Sequence, residues 1–136
     1  MPSMSSPEQA VLEALIEQLK TVMEPVYLGY SATGSEQDLE LPALLVQLES
    51  MRETRRQGYK ARYRMDLLIS VPVKTETDAL FELLTQSNAV RDLLTSNPTL
   101  GSHVREVRVQ ESRFDIAPHH GQWSFVEIDV QIDLIR

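Results

Sequence analysis

Tyr59, Ala61, Tyr63, Met65, Leu67, Ile69 and Val71 alternate with Lys60, Arg62, Arg64, Asp66, Leu68 and Ser70. A run of apolar residues on one parity and mostly polar residues on the other fits the two-residue period of a strand, not the 3.6-residue period of a helix. It predicts a strand over 59–71 with one face in the core and one in water. A lone strand buries nothing, so the rest of the chain must supply partners for its backbone and a cover for its apolar face.

Three further stretches supply the partners. In LPALLVQLESM, residues 41–51, Leu44, Val46 and Leu48 share one face, with Leu45, Gln47 and Glu49 on the other. Pro42 suits the entrance of a strand or an edge. Val104 to Ile116 and Gln122 to Ile135 read as two more strands. In the last, Val126, Ile128, Val130, Ile132 and Leu134 alternate with Glu127, Asp129, Gln131 and Asp133. Trp123 and Phe125 fall on the opposite parity, which predicts a bulge over 124–126. Residues 26–30, VYLGY, allow a short fifth strand. Arg52 to Gly58 reads as a loop of moderate length joining the first hairpin, and Pro72 as the end of its second strand.

The cover comes from two amphipathic stretches. Ser6 can cap a helix, Pro7 fits the first helical position and Gln9 stands where a capping-box partner belongs. Val11, Leu12, Leu15, Ile16, Leu19, Val22 and Met23 then form one stripe, ended by Pro25. Thr75-Glu76-Thr77-Asp78 offers caps and acidic charge for a second helix, with Leu80, Phe81, Leu83, Leu84, Val90, Leu93 and Leu94 as its apolar face. Ser87-Asn88 is a point where it can break, and Asn97-Pro98 stops it. SATGSEQDL, residues 31–39, reads as a loop. The expected fold is α+β, in the order α-β-β-α-β-β. It has an antiparallel sheet of four or five strands with two main helices on one face. With 136 residues the chain suits one domain, 1–136, with a flexible N-terminus over 1–5.

Composition excludes several kinds of chemistry. There is no cysteine, hence no disulfide, thiol nucleophile or cysteine-ligated metal. No apolar run approaches the roughly 18 residues of a membrane span. MPSMSSPEQ does not read as a secretory signal. No Gly-rich phosphate loop, GxSxG or HExxH occurs, so the chain reads as a non-enzyme without a cofactor.

Charge is distributed unevenly. The net charge is -7, yet Arg52, Arg55, Arg56, Lys60, Arg62 and Arg64 hold nearly half of the 13 basic residues within MRETRRQGYKARYR, residues 51–64. Such a cluster can be a solvated hairpin tip, a subunit contact, or a nucleic-acid contact that gains affinity by releasing phosphate counterions. Tyr59 and Tyr63 lie inside it and could stack on bases, but their parity puts them in the core. Glu127, Asp129 and Asp133 make the last strand's polar face acidic. If the basic and acidic strands are neighbours, their charges pair within one chain. If they are opposite edges, the same charges can join copies. His103, His119 and His120 are the only candidates for metal or acid–base chemistry. Adjacent histidines diverge in a strand, and no third ligand stands at a recognisable spacing, so an exposed turn, APHHG, is the plainer reading.

The element order, with ELPALLVQLES, ARYRMDLLISVPV and TETDALFELLTQSNAVRDLL in sequence, resembles the small tail-completion, or tail terminator, proteins of tailed bacteriophages and prophages. The likeness runs from about Glu8 to Arg136. It implies a structural protein without catalytic residues or metal, assembled in the bacterial cytoplasm and carried in the virion. Such proteins form a ring, commonly of six copies, that caps the tail tube and meets the head-completion proteins. The hairpin from Arg52 to Arg64 would then line the lumen, where DNA passes, or touch the tube. Glu127, Asp129 and Asp133 would meet a basic face on the next copy. The runner-up is a small nucleic-acid-binding module using the same hairpin.

Overall fold

The computed structural model describes residues 6–29, 43–58, 60–75, 78–96, 100–101 and 104–135. The elements are α1 (Pro7–Leu19), β1 (Val26–Leu28), β2 (Leu44–Gln57), β3 (Lys60–Lys74), α2 (Ala79–Ser96), β4 (Val104–Asp115) and β5 (Trp123–Ile135). They build one sheet in the order β1-β2-β3-β5-β4. The architecture is α+β with five strands and two helices, and the sheet is mixed. β1 lies parallel to β2, pairing Val26 with Leu44, and the other three ladders are antiparallel. The all-antiparallel expectation fails there because residues 29–43 separate β1 from β2, length enough for the dozen or so residues that a parallel crossover needs. The expectations for residues 1–5 and 31–39, Tyr59, His103 and Asn97-Pro98 fall outside the described residues.

β3 and β5 sit inside the sheet, and their alternation sets the core. Ala61, Tyr63, Met65, Leu67, Ile69, Val71 and Val73 face one way from β3, as do Val126, Ile128, Val130, Ile132 and Leu134 from β5, and all are buried. Val11, Leu15 and Leu19 of α1 and Ala79, Leu83, Val90 and Leu94 of α2 close the same cluster. Both helices therefore cover one face. α1 is capped by Ser6 as expected, its side chain accepting from the Gln9 backbone N–H at 3.1 Å with Pro7 in the first turn, but the Gln9 side chain donates to Glu13 at 3.2 Å and does not complete a capping box. Its regular part stops at Leu19, and Lys20 to Met23 continue only as turns onto the Ile16, Gln18 and Leu19 carbonyls.

α2 runs unbroken through Ser87, which is buried and hydrogen-bonds Ser112 of β4 at 3.0 Å. The buried line Ala79, Leu83, Ser87, Val90 and Leu94 is narrower than the sequence stripe, and it leaves Leu80, Phe81 and Leu84 in solvent. Thr75 does not cap α2. It extends the β3–β5 ladder by donating its N–H to the Gln122 carbonyl at 2.7 Å, and its buried hydroxyl bonds that of Ser124.

Three strand expectations are corrected. There is no loop over 52–58: β2 and β3 stay paired to Gln57 and Lys60, and Gly58, at φ +62°, takes the turn. Two bulges, between Leu48 and Ser50 and between Glu53 and Arg55, shift the parity of β2 and hide this continuation from a strict alternation. There is no bulge at 124–126 either: the β3–β5 register is continuous, so Phe125 points to the other face, beside Tyr27, Ala43 and Leu45. Nor does Pro72 end β3. Its described pairing with β2 stops at Ser70, so at Pro72 only β5 is beside it and the missing N–H is tolerated.

Candidate functional site

Beyond Val46, β2 continues as an edge strand paired with β3 to the hairpin end, an arm in which β3 also stays paired with β5 as far as Arg62–Ile135. The pairs Arg52–Arg64 and Arg55–Arg62 stand directly opposite each other, on the face away from the helices. Like charges at such positions repel, because directly opposed side chains are only about 5 Å apart. Lys60 shares this face by the alternation of β3. Arg56 does not. It pairs with Ala61 on the helix side, forms an ion pair with Glu53 and reaches the Tyr63 hydroxyl at 3.2 Å. The hydrogen bond to Glu53, and then its charge, raise the Arg56 guanidinium above its ordinary value. Thus five of the six predicted basic residues share a face, and the sixth is held on the other. At the second bulge the Thr54 hydroxyl donates to the Arg62 carbonyl at 3.3 Å.

β3 and β5 are neighbours, so part of the acidic row is matched inside the chain. Arg64 meets Asp133 at 3.5 Å, and Arg113 of β4 grips both oxygens of Asp129. That grip raises the Arg113 guanidinium, and a weaker contact to Glu111 adds to it. Glu127 lies opposite Arg113 in register and makes no ion pair among the described residues. Arg105 and Arg108 come to the arm from β4, lining an open cleft with Thr54, Arg62, Arg64 and Asp133. Arg108 holds Glu106 at 2.9 Å, and that hydrogen bond lowers the Glu106 carboxyl below its usual range. Among the described residues Arg52, Arg55, Lys60, Arg62 and Arg105 make no ion pair.

Sequence reasoning missed Arg105 and Arg108. Bulges between Val104 and Glu106 and between Val109 and Ser112 break the alternation that would have placed them. It also missed Arg91 of α2, whose guanidinium donates to the Val109 and Gln110 carbonyls and to the Ser112 hydroxyl at 3.3, 3.2 and 2.8 Å. Arg91 thereby holds the second bulge of β4. His119 and His120 are exposed beyond the end of β4, in the turn whose Gln122 N–H bonds the His119 carbonyl. No group of three or more His, Asp or Glu able to hold a metal occurs among the described residues, and none of the described helices is long and apolar enough to cross a membrane.

No protein-family model and no curated sequence matches the chain. Among solved structures, a chain titled as part of the virion of a native gene transfer agent particle is similar at a TM-score of 0.56 and 14% identity, covering 93% of this chain and 92% of that one. At that identity the likeness is one of fold, and it extends over almost the whole of both chains.

Proposed function

We propose that this chain is a structural subunit of a phage-like particle and works by self-assembly, as a tail-completion protein does when it forms a ring at the end of a tail tube. The observation that carries the reading is the match in fold to a virion chain over 93% of this chain and 92% of that one. A ring needs two different complementary surfaces on each copy, because a head-to-tail contact that closes is never self-complementary. The arm offers one: Arg52, Arg55, Lys60 and Arg62 project from it without ion pairs among the described residues. In this reading they meet acidic groups on the next copy or on a tail-tube or head-completion partner. Of the β5 row, Glu127 makes no ion pair among the described residues, while Asp129 and Asp133 are already shared with Arg113 and Arg64.

Light scattering across concentration and salt, with negative-stain imaging, tests the proposal. Closed rings of fixed copy number are expected. A chain that stays monomeric under every condition overturns it.

The five cations without ion pairs favour a second reading, in which the arm contacts nucleic acid, in a ring lumen or as a free module. Filter binding should then weaken steeply with salt, with a log–log slope of about -0.9 for each duplex phosphate neutralised. No retention of DNA at low salt removes this reading.

A further inference from the structure

The basic surface of the arm extends across the sheet to β4. On the face away from the helices, Lys60, Arg62 and Arg64 follow one another along β3 at the two-residue period, about 6.7 Å apart. Arg52 and Arg55 stand across from Arg64 and Arg62 on β2. On the other side of β5, the bulge between Val104 and Glu106 turns Arg105 onto the same face. There Arg105 and Arg108 line an open cleft of about 340 Å³ with Arg62 and Arg64. The two carboxylates of the cleft are already engaged, Asp133 by Arg64 at 3.5 Å and Glu106 by Arg108 at 2.9 Å. Arg62 and Arg105 remain, from strands on either side of β5, both exposed and without an ion pair among the described residues.

Opposed arginines repel in the isolated chain, so this face is relieved by a ligand that brings several negative charges at once. Acidic protein and nucleic acid both do so, and the make-up of the face separates them. The core of a protein–protein contact is apolar and poor in charge, whereas a contact with nucleic acid is polar and strongly positive. Leu48 and Met51 of β2 and Tyr63 of β3 all lie on the helix side, and half-buried Ile135, opposite Arg62, is the apolar side chain that remains among the cations. The two-residue period of β3 is close to the distance between successive phosphates of one nucleic-acid strand, so neighbouring cations can each take one. A guanidinium offers each phosphate two parallel donors. Among the described residues no aromatic side chain stands beside these cations on this face, so bases find nothing to stack on, and single strands rely on such stacking. Contacts to phosphate alone carry no sequence information. We infer that the arm and the Arg105 end of β4 together bind the phosphate backbone of duplex nucleic acid without regard to sequence, with one phosphate held in the cleft between Arg62 and Arg105. This rests on the nucleic-acid reading of the arm, extends it across β5 to β4 and names its substrate.

Fluorescence anisotropy tests this, with the full chain titrated across salt into two labelled duplexes of unrelated sequence and one single strand. Both duplexes should bind alike and more tightly than the single strand. Arg62→Gln and Arg105→Gln should each weaken duplex binding roughly tenfold and reduce the log–log salt slope by about 0.9, the share of one phosphate. Arg56→Gln removes the same charge from the helix side of the same hairpin and should leave the slope unchanged. Each variant is checked by melting temperature, with Arg105→Ala and Arg52→Gln standing in for one that melts early. A wild type that binds duplex while Arg105→Gln has no effect overturns the cleft and leaves the arm reading standing. A loss in Arg56→Gln equal to theirs means that only net charge counts, and overturns the inference too. So does a preference for one sequence, tighter binding of the single strand, or displacement of the duplex by poly-glutamate at equal charge, which marks the face as one for acidic protein. A wild type that binds no duplex at low salt overturns this inference and the nucleic-acid reading together.

Discussion

At the Leu44–Val46 end of the β2–β3 pair, both faces of the sheet are covered. Leu67 to Val73 of β3 are buried without interruption, under the helices on one side and beside Leu45 and Phe125 on the other. At the Arg52–Gln57 end, all of β2 is exposed and β3 buries only alternate residues. The same two strands stay antiparallel throughout, and the two bulges at the Arg52 end interrupt their pairing only locally, so pairing alone does not separate the two ends. Burial does. A buried Leu or Ile contributes about 1.5–3 kcal/mol, whereas an exposed cross-strand pair contributes about 0.2–1 kcal/mol, and opposed arginines count against the arm. One end of the hairpin holds the fold together, and the other is a surface the fold carries.

The comparison breaks most readily in the core. Ile69→Ala, at a fully buried site on a central strand, should cost about 2–5 kcal/mol in a denaturant titration. A cost as small as that of an arm substitution would mean the covered end is not the stabilising one. Arg91→Ala should cost about 1–3 kcal/mol, because two strand carbonyls and the Ser112 hydroxyl lose a charged donor. Its hydrogen-exchange signature should be confined to β4, leaving the arm unchanged.

Within the arm the sign reverses. Arg55→Glu places a carboxylate opposite Arg62 and should stabilise the fold by ~0.2–1 kcal/mol, and under the proposed function it should also disturb self-assembly. A loss of stability would show that the opposed arginines are not repelling. The smallest effect is expected at Glu106. Arg108 depresses its folded titration, so its contribution is present above the unfolded carboxylate value and is lost as pH falls through the folded one. The pair is solvent-exposed, so Glu106→Gln should leave the melting temperature at neutral pH unchanged and only slightly flatten its decline in acid.

How much was legible follows from the same contrast. β3 and β5 stood out in the sequence because a central strand under helices on one face keeps a strict alternation. Residues 52–58 read as a loop because charged residues and two bulges erase that alternation, although Lys60 and Gln57 still pair. Phe125 suggested a bulge because a second, small apolar cluster on the far face cannot be told from a shift in parity by sequence alone. α2 offered more leucine than its packing uses. Which stripe turns inward was decided by Ser87 and Arg91, polar residues that meet β4, and no hydrophobic count weighs them. The outward cations were visible as a cluster, but separating Arg56 from the others required the register.

The irregular β4 edge has a consequence for growth. A straight, exposed strand edge invites indefinite stacking of copies through main-chain bonds, the route to fibrils. Two interruptions in twelve residues, one clamped by a guanidinium from the overlying helix, deny a neighbouring strand any long matching template. Copies of the chain held at high concentration should therefore not polymerise along that edge.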